Sequence, residues 1–327
     1  MGSYLVRRIL YTIPTVFFIS IIVFIIIQLP PGSWVDNYVA QLAREGQAVS
    51  EQYLEALKAR YGIDKPIHIR YWRWVRGWAR LDFGRSFMWN APVLDLVWER
   101  FAATVIISLA SMFFIYAVSI PIAVYGATHQ YSLGDNIATL FGFAGLAVPN
   151  FMLALVLMYI FYTRFGIVPG GLVSPAFQNE PWSFAKFVDV VNHLWVPMIV
   201  IGTGGTASTI RVLRATILDE LGKDYVDVAR AKGLPEKVVI YRHVLRVAIN
   251  PLISRIVWEL PQVISGSTIV AQVLSLPILG ALLLSSLQSQ DMYLAGTIIL
   301  FQSVLVVIGG LLSDILLALS DPRIRYE

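Results

Sequence analysis

The sequence predicts an all-α integral membrane protein with six transmembrane helices and a folded extracytoplasmic segment between the first and the second. Hydrophobic residues make up 57% of the 327 residues and charged residues only 14%, whereas soluble domains carry roughly 25% charged residues. The mean hydropathy is +0.68. Several runs without Asp, Glu, Lys or Arg reach about 20 residues, the length that a helix needs to cross the hydrocarbon core.

Composition excludes several kinds of site. Cysteine is absent, so the chain cannot form disulfides, thiolate nucleophiles or cysteine metal sites. The 25 Lys and Arg residues against 21 Asp and Glu residues leave a net charge of +4. This small, dispersed charge is typical of the flanks of membrane spans, and we expect contact with membrane lipid but no nucleic-acid partner.

Six spans follow from the charge-free runs, at 9–29, 101–127, 136–163, 194–210, 248–274 and 292–313. The first is a retained anchor, because its apolar run is too long for a signal peptide and no small-residue cleavage site follows. The fourth is short and is expected to continue toward Leu218. The fifth differs from the others because it contains Arg255 and Glu259.

The distribution of Lys and Arg predicts that both termini are cytosolic. Basic residues precede the first span, eight of them lie between Arg211 and Arg246, and two follow the last span. Short cytosolic loops carry such an excess, whereas long segments cross the membrane regardless of their charge. The predicted divisions are therefore the first span with its N-terminus (1–29), an extracytoplasmic subdomain (30–100), a core transmembrane domain (101–320) and a cytosolic tail (321–327).

The extracytoplasmic subdomain contains helical and aromatic patterns. Ser50 is predicted to cap an amphipathic helix that ends at Gly62, and Pro66 separates this helix from an aromatic run at 71–78. Tryptophan beside arginine suits a membrane interface, where the ring lies in an apolar layer and the polar group faces water. Stacking on a sugar or a base remains an alternative for the same aromatic residues.

The cytosolic segment at about 219–246 is the most informative part of the chain. An amphipathic helix is predicted there, with its apolar face formed by Leu218, Leu221, Tyr225, Val228 and Ala229. Gly233 permits a tight turn and Pro235 begins a second helix. A short amphipathic helix that projects from a bundle can dock in a groove of a soluble partner. A bulky residue at Gly233, or Glu at Ala229, is expected to prevent this docking.

At these residues the sequence resembles the permease subunits of ATP-binding-cassette importers, specifically the first permease of the dipeptide/oligopeptide/nickel family. The match comprises DYV at 224–226, ARAKGL at 229–234, HVLR at 243–246, LVRR at 5–8, YGIDKP at 61–66, DFGRS at 82–86, SLP at 275–277 and DPRIR at 321–325. Asp227 and Val228 depart from the Glu-Ala of the older consensus for this loop. Each motif alone is weak, but their order and spacing cover almost the whole chain.

The resemblance implies the type I importer permease fold, and with it a set of partners. These are a second, homologous permease that completes a heterodimer, two ATPases that use ATP and magnesium, and an extracytoplasmic substrate-binding protein. It places the protein in the cell (inner) membrane of a prokaryote. It also implies that the helix at about 219–232 docks in an ATPase, with coupling residues Asp224, Tyr225, Asp227, Ala229, Arg230, Ala231, Lys232, Gly233, Leu234, His243 and Arg246.

The chain itself shows no sign of catalysis, of a bound cofactor or of a metal site. Gly222-Lys223 is the nearest approach to a phosphate-binding loop, but Ile217 and Asp224 occupy positions that such a loop needs for Gly and for Ser or Thr. The four histidines lack metal-ligand spacing. A secondary transporter is the alternative of another class, and it would show an inverted repeat with broken midplane helices.

The substrate pathway leaves two interpretations open. Arg255 and Glu259 lie four residues apart and share a helix face, so they form either an intrahelical ion pair or a direct contact with the substrate or a gate. Gln262 is one turn further on. The resemblance implies import of small peptides by alternating access, with oligosaccharides or a nickel chelate as alternative substrates.

Overall fold

The computed structural model describes residues 2–28, 35, 38–39, 42, 50, 52–53, 55–56, 59, 64–78, 80–167, 169–178, 180–256 and 268–320. These residues form α-helices joined by turns, without a strand among them. The helices, numbered in chain order, are α1 Gly2–Gln28, α2 Ile67–Trp78, α3 Val93–Thr128, α4 Leu133–Ala147, α5 Asn150–Phe165, α6 Phe184–Leu221, α7 Asp224–Ala231, α8 Glu236–Val238, α9 Leu245–Ala248, α10 Thr268–Val273, α11 Leu279–Gln288 and α12 Met292–Ser320.

Four stretches of these helices are long and apolar enough to span a membrane: Leu10–Gln28, Val93–Thr128, Phe184–Leu221 and Met292–Leu316. They coincide with the first, second, fourth and sixth predicted spans. Residues 257–267 of the fifth predicted span, which include Glu259 and Gln262, lie outside the described residues. The total of six spans therefore stays a prediction.

The third predicted span, 136–163, is not one continuous helix. It is divided into α4 and α5, whose axes diverge by 99°. Val148 and Pro149 between them are extended, with ψ of 120° and 136°. Proline has no N–H to donate and disfavours the helical conformation in the residue before it, so the helix ends there.

The fourth span is longer than its charge-free run at both ends. It continues past Leu218, as expected, but it also begins ten residues early, at Phe184. Lys186 and Asp189 interrupted the charge-free run, yet both have partners here. Lys186 Nζ donates to the Glu180 carbonyl at 2.6 Å, and Asp189 accepts from the Ser174 amide at 2.7 Å. Paired charges at a helix end therefore hid the start of the helix.

Two compact units can be distinguished. Residues 2–102 and 278–305 form one of them. In this unit α2 packs on α1, with the ring centroids of Trp74 and Phe24 5.5 Å apart. Trp74 is buried and Trp72 is exposed, so the predicted interfacial aromatic run is divided between a protein core and a free surface. The Ser50 hydroxyl accepts from the Tyr53 amide at 3.3 Å, which is the geometry of the predicted cap, while Gly62 lies outside the described residues.

A buried carboxylate organises the same unit where α12 begins. Asp291 precedes α12 and accepts from the amides of Phe87 and Leu294 at 2.7 and 3.2 Å and from the Ser86 hydroxyl at 2.5 Å. Burial raises the pKa of this carboxyl, although the hydrogen bonds from Ser86 and the amides oppose the effect. Asp291 thus joins the DFGRS loop at 82–86 to the start of a span.

The other unit contains residues 103–277 and 306–327. Its core combines α3 and α6 with the segment at 219–246 that was predicted to be cytosolic, through Ala123, Val124, Ala127, Leu213, Ile217, Val226, Ala229, Val239, Ile240, Val244, Ala248 and Leu252. The segment at 219–246 is therefore packed directly against two of the spans.

Candidate functional site

The segment at 219–246 begins with a break that the sequence pattern did not predict. A single helix was predicted at 219–232, but α6 ends at Leu221 and α7 begins at Asp224. Gly222 caps α6, and Lys223 is extended, with φ of −95° and ψ of 144°. Glycine has a low helix propensity because it loses the most backbone entropy. The break lets α7 leave the direction of α6.

Glu220 holds this break. Its side chain is only 6% exposed, and its two carboxylate oxygens accept from Lys223 Nζ at 2.5 Å and from the Tyr225 hydroxyl at 2.7 Å. A buried carboxylate needs such partners, because an uncompensated charge is costly. Glu220 was not among the predicted site residues. Its spacing from Leu213 and Ile217, which puts it on a buried face of α6, is the signal that could have found it.

The buried face of α7 differs from the predicted one. Val226 is fully buried and Ala229 is 6% exposed, whereas Val228 is 52% exposed. The prediction extended the helical phase of α6 through residues 222 and 223, and the break resets that phase. Tyr225 and Leu221 are partly buried against the core, as expected. Val228 is thus wrongly placed by the sequence pattern, and Val226 is missed by it.

Gly233 makes the turn after α7. Its φ is +74°, a conformation that L-residues rarely adopt, and nothing lies within 4 Å of the position that a Cβ atom would take. The Gly233 amide donates to the Arg230 carbonyl at 2.9 Å, and the Leu234 amide donates to the Ala229 carbonyl at 3.4 Å. These bonds satisfy carbonyls at the end of α7. The glycine is therefore required by backbone conformation and not by crowding.

Arg230 closes the turn from the outside. Its Nη2 and Nε atoms donate to the two carboxylate oxygens of Glu236 at 2.7 and 3.2 Å, and its Nη1 lies 3.6 Å from Asp227 Oδ1. The hydrogen bond with Arg230 lowers the pKa of Glu236, and the same bond raises the pKa of Arg230. This two-pronged contact joins α7 to α8 across Gly233. Glu236 was not predicted as a site residue.

The chain then returns to the core through a π-helical turn at Val239–Val244. Val239, Ile240 and Val244 are buried there, His243 is partly buried, and Arg246 is exposed. A π-helical turn shifts the side chains that follow it around the axis, and such turns are frequent at functional sites. The motif HVLR at 243–246 lies at the end of this turn.

The outer surface of the segment mixes apolar and charged side chains. Val228, Leu234 and Tyr241 are 52%, 36% and 58% exposed. The other exposed residues include Asp224, Asp227, Ala231, Lys232, Lys237 and Arg242. Apolar side chains that project together with a polar rim are typical of a protein interface. We call the exposed side chains of residues 224–242 the docking surface.

A second ionic contact fixes the loop between α3 and α4. Arg214 Nη2 lies 2.8 Å from Asp135 Oδ2, which also accepts from the Tyr131 amide at 3.0 Å. A Cβ atom at Gly126 would lie 2.8 Å from Asp135 Oδ1, so glycine leaves room for the carboxylate. The loop, which carries no Lys or Arg, gave the sequence analysis no signal.

Of the predicted pathway residues only Arg255 is described. Its Nη2 atom donates to the Ser208 hydroxyl of α6 at 2.9 Å. Glu259 and Gln262 lie outside the described residues, so the two interpretations of the Arg255–Glu259 spacing both stand. Within the described ranges, no three His, Asp or Glu side chains come together in a way that could hold a metal ion.

Comparison with known proteins gives matches along the whole chain. Residues 119–326 match the family described as binding-protein-dependent transport system inner membrane component, and residues 1–110 match the N-terminal part of such components. The oligopeptide transport system permease protein AppB of Bacillus subtilis is 34% identical over 328 residues, covering 100% of both chains. The inner membrane ABC transporter permease protein YejB of Escherichia coli O157:H7 is 32% identical, also covering 100% of both.

Two further likenesses are more distant. The glutathione transport system permease protein GsiC of Escherichia coli K12 is 28% identical and covers 100% of both chains. Among solved structures, a chain of the inward-facing MetNI methionine ABC transporter aligns with a TM-score of 0.51 and 14% identity, covering 70% of this chain and 97% of that one. At this identity the likeness concerns the fold.

Proposed function

Because the chain belongs to the binding-protein-dependent inner membrane components, as a dipeptide/oligopeptide-type permease subunit of an ATP-binding-cassette importer, we propose that it carries small peptides across the membrane. It is a multi-pass protein of the inner membrane and not an enzyme, since ATP hydrolysis in these importers belongs to a separate ATPase. Peptide as the substrate is supported by the names of relatives that match over their full length, which include oligopeptide and glutathione permeases.

The proposed assembly contains this chain, a second homologous permease, two ATPases and an extracytoplasmic substrate-binding protein. Both termini and the segment 219–246 face the cytosol in this assembly, which agrees with the basic residues concentrated there. The binding protein delivers the substrate from outside. The two permeases form the pathway between them and alternate between outward-facing and inward-facing states.

The packing of the cytosolic segment carries the mechanism. Its docking surface meets the ATPase, while its inner face is buried against α3 and α6. Glu220 fixes α7 at the end of α6, and the Arg230–Glu236 contact fixes the turn at Gly233. A segment held at both points moves as a body. Closure of the ATPases on ATP is therefore transmitted to two spans without being lost in a flexible loop.

Reconstitution of the complete importer in lipid vesicles tests this function. We expect uptake of a labelled oligopeptide to require the binding protein on one side of the membrane and ATP on the other side, where the ATPases are bound. Uptake driven by a proton or sodium gradient without ATP would instead identify a secondary transporter. ATP-dependent uptake of an oligosaccharide or a nickel chelate, but of no peptide, would support an ATP-driven importer and contradict peptide as its substrate.

A further inference from the structure

Helix α2 packs against α1 and against the first turns of α12. The Tyr71 hydroxyl is 2.9 Å from the Ser20 Oγ atom, and Ser20 is eight residues before the end of the span at Gln28, a depth of about 12 Å at 1.5 Å per residue. A Cβ atom at Gly296, the fifth residue of α12, would lie 2.9 Å from the Trp74 ring. Both contacts set one face of α2 below the ends of two spans.

The opposite face of α2 is basic. A recess of about 600 Å³ is lined by His68, Trp72, Arg73, Arg76, Arg80 and Asp82. Arg73, Arg76 and Arg80 are exposed, and none of their guanidinium groups forms a hydrogen bond or an ion pair with the described residues. Like charges this close on a helix destabilise it slightly, so the recess favours an anion. We call it the arginine recess.

The recess depends on a sharp return of the chain at Gly77. The amides of Arg80 and Asp82 both donate to the Gly77 carbonyl, at 2.9 and 3.0 Å, and Leu81 has a positive φ of 55°. A Cβ atom at Gly77 would lie 2.2 Å from the Asp82 carbonyl oxygen. Only glycine permits this approach, which brings Arg80 back to the recess that Arg73 and Arg76 line.

We propose that the arginine recess binds the phosphate group of an anionic phospholipid. The depth of α2 places the three guanidinium groups at the membrane interface, where lipid phosphates lie. Trp72 is 59% exposed and Ile69 is 42% exposed beside them, which suits the apolar part of a lipid more than a soluble acidic protein. Guanidinium groups are the preferred partners of phosphate. The proposal rests on the packing of α1, α2 and α12 and is independent of the transported substrate.

The test uses the purified full chain and phosphatidylglycerol, with phosphatidylcholine as the neutral comparison. Native mass spectrometry measures how much of each lipid remains bound. We expect the chain to retain phosphatidylglycerol preferentially, and each of Arg73→Gln, Arg76→Gln and Arg80→Gln to weaken this retention about fivefold. Arg164→Gln, which removes an exposed arginine at the end of α5, is the matched control and is expected to leave retention unchanged.

Three outcomes would overturn the proposal. The first is equal retention by the triple glutamine variant and the wild type. The second is displacement of the lipid by inorganic phosphate at the same concentration, which would identify a site for free phosphate. The third is normal lipid retention by the glutamine variants together with loss of their binding to the extracytoplasmic substrate-binding protein. This result would identify the recess as a protein-binding site. If the triple variant does not fold, Arg76→Lys and Arg76→Gln decide, since only the first is expected to keep the lipid.

Discussion

Gly233 shows how one backbone angle can define a functional segment. Its φ of +74° is needed for the turn, while the space around it is open. A bulky side chain at this position was expected to block docking by its size. The open space and the positive φ indicate instead that a side chain would strain the turn. Any L-residue at this position is strained by about 1–2 kcal/mol, and the strain acts on the angle between α7 and α8.

We predict that Gly233→Ala lowers substrate-stimulated ATP hydrolysis of the reconstituted importer and reduces the unfolding temperature slightly. Gly222→Ala is the matched control, because Gly222 has a negative φ of −86° and a Cβ atom there meets only the Asp219 carbonyl, at 3.8 Å. ATPase rates with and without loaded binding protein give the comparison. Equal loss in both variants would show that the turn conformation is not the cause.

The Arg230–Glu236 contact gives a second prediction at the scale of single residues. Both side chains are largely exposed, so a double-mutant cycle with Arg230→Ala and Glu236→Ala should give a coupling energy of only about 0.2–1 kcal/mol. The pKa of Glu236 is lowered in the folded chain. Its contribution is therefore present above the unfolded pKa, about 4.3, and is lost as the pH falls through the lowered value. Thermal unfolding of the wild type and Glu236→Gln across this range measures it, and a difference that grows as the pH falls would contradict the pairing.

Sequence reasoning succeeded at this scale where chemistry is local. The turn at Gly233 follows from glycine alone, and the cap at Ser50 from a hydroxyl followed by a helical pattern. Glu220 and Glu236 were missed because their partners are set by the path of the backbone. Tyr225 and Lys223 reach Glu220 only because the chain bends between the end of α6 at Leu221 and the start of α7 at Asp224.

Among the helices, the break between α6 and α7 decides which residues of α7 are exposed. Periodicity identified an amphipathic helix but carried its phase across Gly222, so Val228 was assigned to the buried face. Val226 is buried instead, while Ala229 is buried as predicted. Ala229→Glu would therefore place a charge in the core and disturb folding, which corrects the expectation that it blocks docking alone.

We predict that Val228→Glu abolishes substrate-stimulated ATP hydrolysis while leaving the folded chain intact, because the charge is added to the docking surface. Val226→Glu, two residues earlier, is the contrast. It buries an unpaired carboxylate in the core and should greatly lower the yield of folded protein. Size-exclusion profiles and ATPase rates separate the two effects. Normal stimulation in Val228→Glu would remove Val228 from the docking surface.

The anchor of the break makes its own prediction. Glu220→Ala leaves the Tyr225 hydroxyl without its acceptor and Lys223 without its partner. We therefore expect the free energy of unfolding to fall by about 1–3 kcal/mol. Asp219→Ala removes a neighbouring but exposed carboxylate and should change the unfolding temperature little. Similar values for the two variants in thermal unfolding would show that Glu220 does not hold α7.

At the scale of the whole molecule, composition and charge-free runs were enough for the class of protein and for four of the spans. The division of the third span at Pro149 and the early start of the fourth were not recoverable from hydropathy. In both cases a local conformation or a paired charge, invisible to a window average, determines the helix. Each of the two compact units combines distant parts of the sequence, and α12 begins in one unit and ends in the other.

Contact between the docking surface and an ATPase subunit is the step on which the proposed coupling depends. The chain contains no cysteine, so a single introduced thiol reports one position without background. Val228→Cys in the assembled importer is expected to cross-link to an ATPase subunit. The reagent is a short cross-linker that reacts with a thiol at one end and with lysine at the other. Trp72→Cys, in the segment that we propose to be extracytoplasmic, is expected not to cross-link to it. Cross-linking of the ATPase to Trp72→Cys, or its absence from Val228→Cys in an importer that hydrolyses ATP normally, would contradict the claim.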